Sequence, residues 1–287
     1  MIIPTLGWRP MFVIAGIGAL IVWYLRESLP ESPRWLESQG RTDEAEALMQ
    51  SIEREVGAKG ALPAPIPATP APAWTLASLF TPALLPRLVV GSVVLITVNT
   101  LIFGFVNWIP TFFVQQGLSL TTSFVYALVI ALGSPLGCAI GAFTADRLGR
   151  RACIIGASVM TIIFGSIYPF MKEPALLLTV GFFLIVGIYI LTALLYGVYT
   201  SELFPTEVRL RANGFCNMLG RGFTVVTPIL VVYLFRHYSV AGVLGLMIGL
   251  LVVQIVVVAA WGIEPAKRGL EALDPSETGA TVAPQTA

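Results

Sequence analysis

Arg221 stands alone inside an apolar run, ten residues after Arg211 and fifteen before Arg236. A guanidinium about 15 Å along a helix is costly in hydrocarbon unless it meets a partner or a watery cavity. Asn213, Asn217 and Arg221 recur every four residues and so share one helical face, with Thr224 close to the same stripe. This constellation suits the noncovalent capture of an anionic solute or the tuning of a proton-carrying acid. The alternative is a structural bond from Arg221 to helix ends or to an acid on another helix. Tyr189, Thr192, Tyr196 and Tyr199 also recur at helical spacing; their hydroxyl and aromatic face suits either a cavity wall or packing between helices. Asn99 and Asn107 are eight apart and nearly aligned, with Trp108 beside them and Pro110 near enough to loosen the helix.

A second concentration of polar chemistry lies in two short segments. Gly141 to Arg151 holds Asp146, Arg147, Gly149, Arg150 and Arg151, and Ser201 to Arg209 holds Glu202 and Arg209. A glycine allows a sharp reversal, and an acid there can accept from helix N–H groups or from an arginine on a neighbouring helix. Covalent chemistry finds no support: there is no Cys/His cluster, nucleophile elbow or phosphate-binding glycine loop. No enzyme activity, metal or cofactor is therefore expected. Cys138, Cys153 and Cys216 read as small packing residues, and Gly133, Gly137 and Gly141 form a repeated G-x-x-x-G that lets helices approach closely. His237, the single histidine, stands at the edge of an apolar run.

The elements that position these residues follow from where charge is missing. The 287 residues are 56% hydrophobic and only 11% charged, with mean hydropathy +0.84. No Asp, Glu, Lys or Arg occurs in 88–145, 152–171, 174–201 or 237–263, and roughly 20 apolar residues suffice to cross a bilayer. The first gap holds two crossings, broken at Gln115-Gln116-Gly117-Leu118-Ser119. The pattern predicts an all-α integral membrane chain of about seven transmembrane helices, near 8–27, 88–113, 121–144, 152–171, 175–200, 211–235 and 239–263.

The expected organisation is a transmembrane helix over 1–27, a cytoplasmic loop over 28–86, a six-helix bundle over 87–263 and a disordered cytoplasmic tail over 264–287. Within the loop, Ala45, Leu48, Met49, Ile52 and Val56 recur at helical spacing and predict an amphipathic helix. Pro63, Pro65, Pro67, Pro70 and Pro72 mark an extended linker. Basic residues crowd one set of loops, from Arg26, Arg34 and Arg87 to Arg147, Arg150, Arg151, Arg209 and Lys267, whereas the other set carries only Arg9, Lys172 and Arg236. The positive-inside rule then places the N-terminus outside and the C-terminus in the cytoplasm of a plasma or inner membrane.

Three segments carry a resemblance. Gly141 to Arg151 resembles the loop signature G-x(4)-D-R-x-G-R-R of sugar porters in the major facilitator superfamily. Pro30-Glu31-Ser32-Pro33-Arg34-Trp35-Leu36 resembles their PESPRWL signature, and Glu202-Leu203-Phe204-Pro205-Thr206-Glu207-Val208-Arg209 their E-x-x-P-T-x-x-R signature. The resemblance, covering about 30–270, implies that the seven spans correspond to helices six to twelve, with helices one to five of an N-terminal half as the missing partner.

It also implies alternating access around a central cavity. Asp146, Arg147, Gly149, Arg150, Arg151, Glu202 and Arg209 are then expected to gate it, and Asn99, Asn107, Trp108, Tyr189, Tyr196, Tyr199, Asn213, Asn217 and Arg221 to face the substrate. The expected function is secondary transport of a small organic solute, an organic or aromatic acid, a sugar or a related metabolite, coupled to H+. The competing expectation is a truncated, non-transporting fragment or a membrane interaction subunit that needs another half. Substrate, coupling ion, direction and oligomeric state are not legible in the sequence.

Overall fold

The computed structural model describes residues 9–27, 30–33, 36, 39–57, 79–205 and 208–264. The Pro-rich linker and the polar tail fall outside these residues, as do Arg34, Trp35 and Thr206 of the signatures. The chain divides into two compact units, 1–70 and 71–287. Among the described residues of the first are α1 (Arg9–Glu27), apolar and long enough to span a bilayer, and α2 (Thr42–Gly57). On α2, Ala45 is buried while Met49 and Ile52 are exposed. Arg41 pairs with Glu44 of its first turn at 2.6 Å.

The second unit begins with α3 (Leu85–Gly104), which enters through Pro86 in its first turn, where a missing N–H costs nothing. At Phe105 the backbone leaves helical geometry for a short turn over Val106–Trp108, and α4 (Ile109–Gln115) continues with Pro110 in its first turn. Pro110 has no N–H to donate to the Val106 carbonyl and its ring crowds that carbonyl, so the helix breaks just ahead of it. Gly117, at φ +92, turns the chain. Ser119 then caps α5 (Leu120–Ala131), its hydroxyl accepting from the Thr122 N–H at 3.2 Å. A single-residue break at Leu132 separates α5 from α6 (Gly133–Leu148).

The helix α7 (Arg150–Ile167) and α8 (Pro174–Leu194) follow. A π-helical segment over Leu195–Tyr199 joins α8 to the short α9 (Thr200–Glu202). Finally α10 runs over Arg209–Trp261, 53 residues with non-helical geometry at Ser239, φ 56. An unbroken helix of that length would extend about 80 Å. Instead, Thr227 and Met247 both lie within 3.2 Å of the place a Cβ would occupy on Gly104, so the chain doubles back at Ser239. The two limbs are the sixth and seventh crossings expected from the sequence.

Close contacts explain the glycines. A Cβ on Gly133, Gly137 or Gly141 would meet the backbone of α8 at Phe182 O (2.7 Å), Val186 O (2.5 Å) and Ile190 O (3.2 Å) respectively. The repeated G-x-x-x-G is therefore the groove into which α8 fits. Both limbs of α10 lie along α3, and the second also packs on α7, where Gln254 donates to the Ser158 hydroxyl at 2.9 Å. Large apolar side chains such as Phe143, Ile163 and Val256 face outward at more than 50% exposure, a surface stable against lipid tails. Several helices overrun the expected boundaries by one to four residues, as at Leu85, Leu148, Glu202 and Arg209, while the last ends two residues short at Trp261.

Candidate functional site

The first cluster forms at one end of the bundle. Gly149 separates α6 from α7 at φ +88, a conformation that favours glycine. A Cβ there would sit 2.8 Å from the carboxylate of Glu264. That carboxylate accepts the Arg150 N–H and the Arg151 N–H, each at 2.9 Å. It thus satisfies two of the unpaired donors at the start of α7 and sits at the positive end of its dipole. Sequence reasoning missed Glu264; the available signal was an acid directly after the last apolar run.

Arg150 is the hub of this end. Its Nε donates to Glu202 Oε2 at 3.0 Å and Nη2 to Oε1 at 3.1 Å, the two-pronged geometry that carboxylates and guanidinium share. Nη1 lies 2.8 Å from Asp146 and donates to the Ala145 carbonyl at 3.2 Å. The Arg150 side chain is 12% exposed and that of Glu202 23%, whereas Asp146 is 77% exposed; the Glu202 contact is therefore the better shielded. Arg151 donates to the Ala259 carbonyl on the second limb of α10, and Arg209 to Phe204 O at 3.4 Å. Arg147 is exposed. Tyr199, expected on the substrate side, is fully buried at this end, its hydroxyl 3.0 Å from the Cβ position of Gly262.

The second cluster lies along the first limb of α10. Ala212, Cys216, Gly220 and Thr227 are buried against the rest of the bundle, while Asn213, Asn217 and Thr224 are half-exposed and Arg221 is exposed. The predicted polar stripe thus points out of the bundle. Asn217 donates to both the backbone and the side-chain oxygen of Asn213 at 3.0 Å. Tyr196, half-buried on the π segment, lies beside Asn99 and within electrostatic reach of Arg221. Asn99 is completely buried, and its amide donates to Leu95 O at 2.7 Å. Gly220 packs against it, a Cβ there meeting Nδ2 at 2.9 Å. Asn99 therefore supports the Tyr196 and Arg221 neighbourhood from behind.

A third group gathers at the α3 break. Asn107 and Tyr189 share a cleft of about 330 Å³ whose apolar lining includes Val106, Ile109, Phe124 and Leu128. Trp108 stacks on Phe112 at a centroid distance of 6.3 Å, and Phe112 on Phe235 at 4.9 Å. The structure thus divides the nine expected substrate residues. Asn213, Asn217, Arg221, Tyr196 and the supporting Asn99 form one group, Asn107 and Tyr189 another, and Trp108 and Tyr199 stand apart in packed surroundings.

The family model for the sugar (and other) transporters matches residues 2–276. The putative metabolite transport protein YdjK of Escherichia coli is 35% identical over 274 residues, spanning 93% of this chain and 60% of that protein. The niacin transporter NiaP of Acinetobacter baylyi is 29% identical over 241 residues, 81% of this chain and 53% of that protein. A solved structure of the proton:xylose symporter XylE shares the fold, with TM-score 0.68 and 18% identity over 95% of this chain and 59% of that one. This chain spans about 60% of the length of YdjK.

Proposed function

Because this chain belongs to the sugar (and other) transporter family, a family of multi-pass membrane proteins, we propose that it forms one wall and one gate of a proton-coupled secondary transporter for a small organic solute. The observation that carries this reading is the outward-facing stripe of Asn213, Asn217 and Arg221. A charge at mid-span is costly against lipid and cheap against a water-filled path. In this reading the stripe faces a cavity closed on the other side by a second unit, corresponding to helices one to five of the family fold. The chain's N-terminus lies outside and its C-terminus in the cytoplasm, so the Arg150 cluster is the cytoplasmic gate.

In the closed gate Arg150 holds Glu202 while Glu264 holds the start of α7, which ties the α6–α7 turn to α9 and to the end of α10. Opening separates these groups and lets water replace the lost hydrogen bonds, so the gate's free-energy difference stays small enough for solute binding to bias. Asn217, Arg221 and Tyr196 contact the solute, with Asn213 and Asn99 positioning them.

Uptake of labelled organic acids and sugars by proteoliposomes, with and without an inward proton gradient, tests the reading on the full transporter that contains this chain. Gradient-driven uptake lost in Arg221→Gln is the expected result. Unaltered uptake by that variant overturns the assignment of the stripe.

A further inference from the structure

Resting on that reading and going beyond it, we propose that the solute is a small monocarboxylate with a flat apolar body. Its carboxylate is held at Arg221 and its body in the cleft beside the α3 break. Two separate observations carry this. The stripe offers one exposed cation, Arg221, one turn along the helix from Asn217 and within electrostatic reach of Tyr196. The cleft of about 330 Å³ has only Asn107 and Tyr189 as polar lining residues and is otherwise apolar, with Val106, Ile109, Phe124 and Leu128 among its walls.

Tyr189 and Tyr196 connect the two places. They stand seven residues apart on α8 and its π extension, hence two turns, about 10 Å, along roughly the same face. A carboxylate attached to a ring bridges that span with the reach of the arginine side chain, and one planar guanidinium satisfies one carboxylate by two parallel hydrogen bonds. A hexose fits this lining poorly. Most of its hydroxyls would meet carbon rather than a hydrogen-bond partner, and desolvating them without replacement opposes binding. A compact inorganic anion would leave the cleft empty, and a neutral ring would leave Arg221 unpaired.

The test measures binding of benzoate, benzamide, acetate and D-glucose to the full transporter in lipid nanodiscs, in wild type and two variants. Arg221 and Leu128 are both exposed at the bundle surface, so Arg221→Gln and Leu128→Gln leave the core intact. The expected order places benzoate about tenfold or more ahead of benzamide, acetate and glucose. Arg221→Gln removes that advantage over benzamide, and Leu128→Gln weakens benzoate while leaving acetate unchanged.

Glucose binding ahead of benzoate overturns the proposal, as does benzoate binding indifferent to both substitutions or absent at millimolar concentration. Acetate equal to benzoate overturns the cleft half of it. Parallel uptake measurements separate this proposal from the one beneath it. Benzoate bound through Arg221 but never moved across a membrane sinks the transport reading alone. Sugar uptake indifferent to Arg221 sinks the substrate class and leaves transport standing.

Discussion

Arg150 and Glu202, 52 residues apart in the sequence, meet through two hydrogen bonds of 3.0 and 3.1 Å. One contact therefore joins the α6–α7 turn to α9. Glu202→Gln keeps the shape but removes the charge, which costs about 1–2 kcal/mol for a partly shielded pair. An equilibrium between open and closed ends shifts by roughly 5- to 30-fold on that scale. A cysteine placed at Asn217 and probed with an impermeant thiol reagent from the Arg150 side should label faster in Glu202→Gln, and the Arg150→Glu, Glu202→Arg exchange should recover part of the difference. Equal labelling in all three contradicts a gating role for the pair.

Gly137 and Gly156 give opposite expectations for the same substitution. A Cβ on Gly137 would lie 2.5 Å from the Val186 carbonyl and 2.9 Å from Tyr189 Cβ, whereas nothing lies within 4 Å of one on Gly156. Gly137→Ala forces α6 and α8 apart and costs about 1–3 kcal/mol, as overpacking does. Gly156→Ala, inside α7, gains up to about 1 kcal/mol of helix stability. Unfolding midpoints in detergent should move in opposite directions.

Gln254 is completely buried, and among the described residues its one side-chain partner is the Ser158 hydroxyl. Ser158→Ala strands the amide at a cost of about 1–3 kcal/mol. Adding Gln254→Leu removes the stranded group, so the double variant should be more stable than Ser158→Ala alone. A double variant less stable than the single one would show that Gln254 has another role.

The spans were legible because charge is excluded from hydrocarbon, and even the hidden reversal at Ser239 followed from the two apolar stretches flanking Arg236. The Gly133, Gly137 and Gly141 groove was legible from spacing alone. The direction of the Arg221 stripe was not, since periodicity gives a face but not what it faces. Asn99 illustrates this: it lies in the expected neighbourhood but is sealed behind Gly220, a fact set by how α10 packs on α3. The clamp of Glu264 on Arg150 and Arg151 joins residues more than a hundred positions apart, and only the fold brings them together. The π segment over Leu195–Tyr199 left no recognised signal in the residues.

The most direct test of the central claim is accessibility of the first limb of α10 in the membrane. In the full transporter with Cys138, Cys153 and Cys216 replaced, single cysteines at Asn217 and Arg221, and at Ile163 of α7 and Val256 of the second limb, are exposed to a charged, water-soluble thiol reagent, with and without solute. The account predicts reaction at 217 and 221 that solute suppresses, and slow reaction at the outward apolar positions 163 and 256. Equal reaction at all four positions, or none at 221, would contradict a solute path along this face.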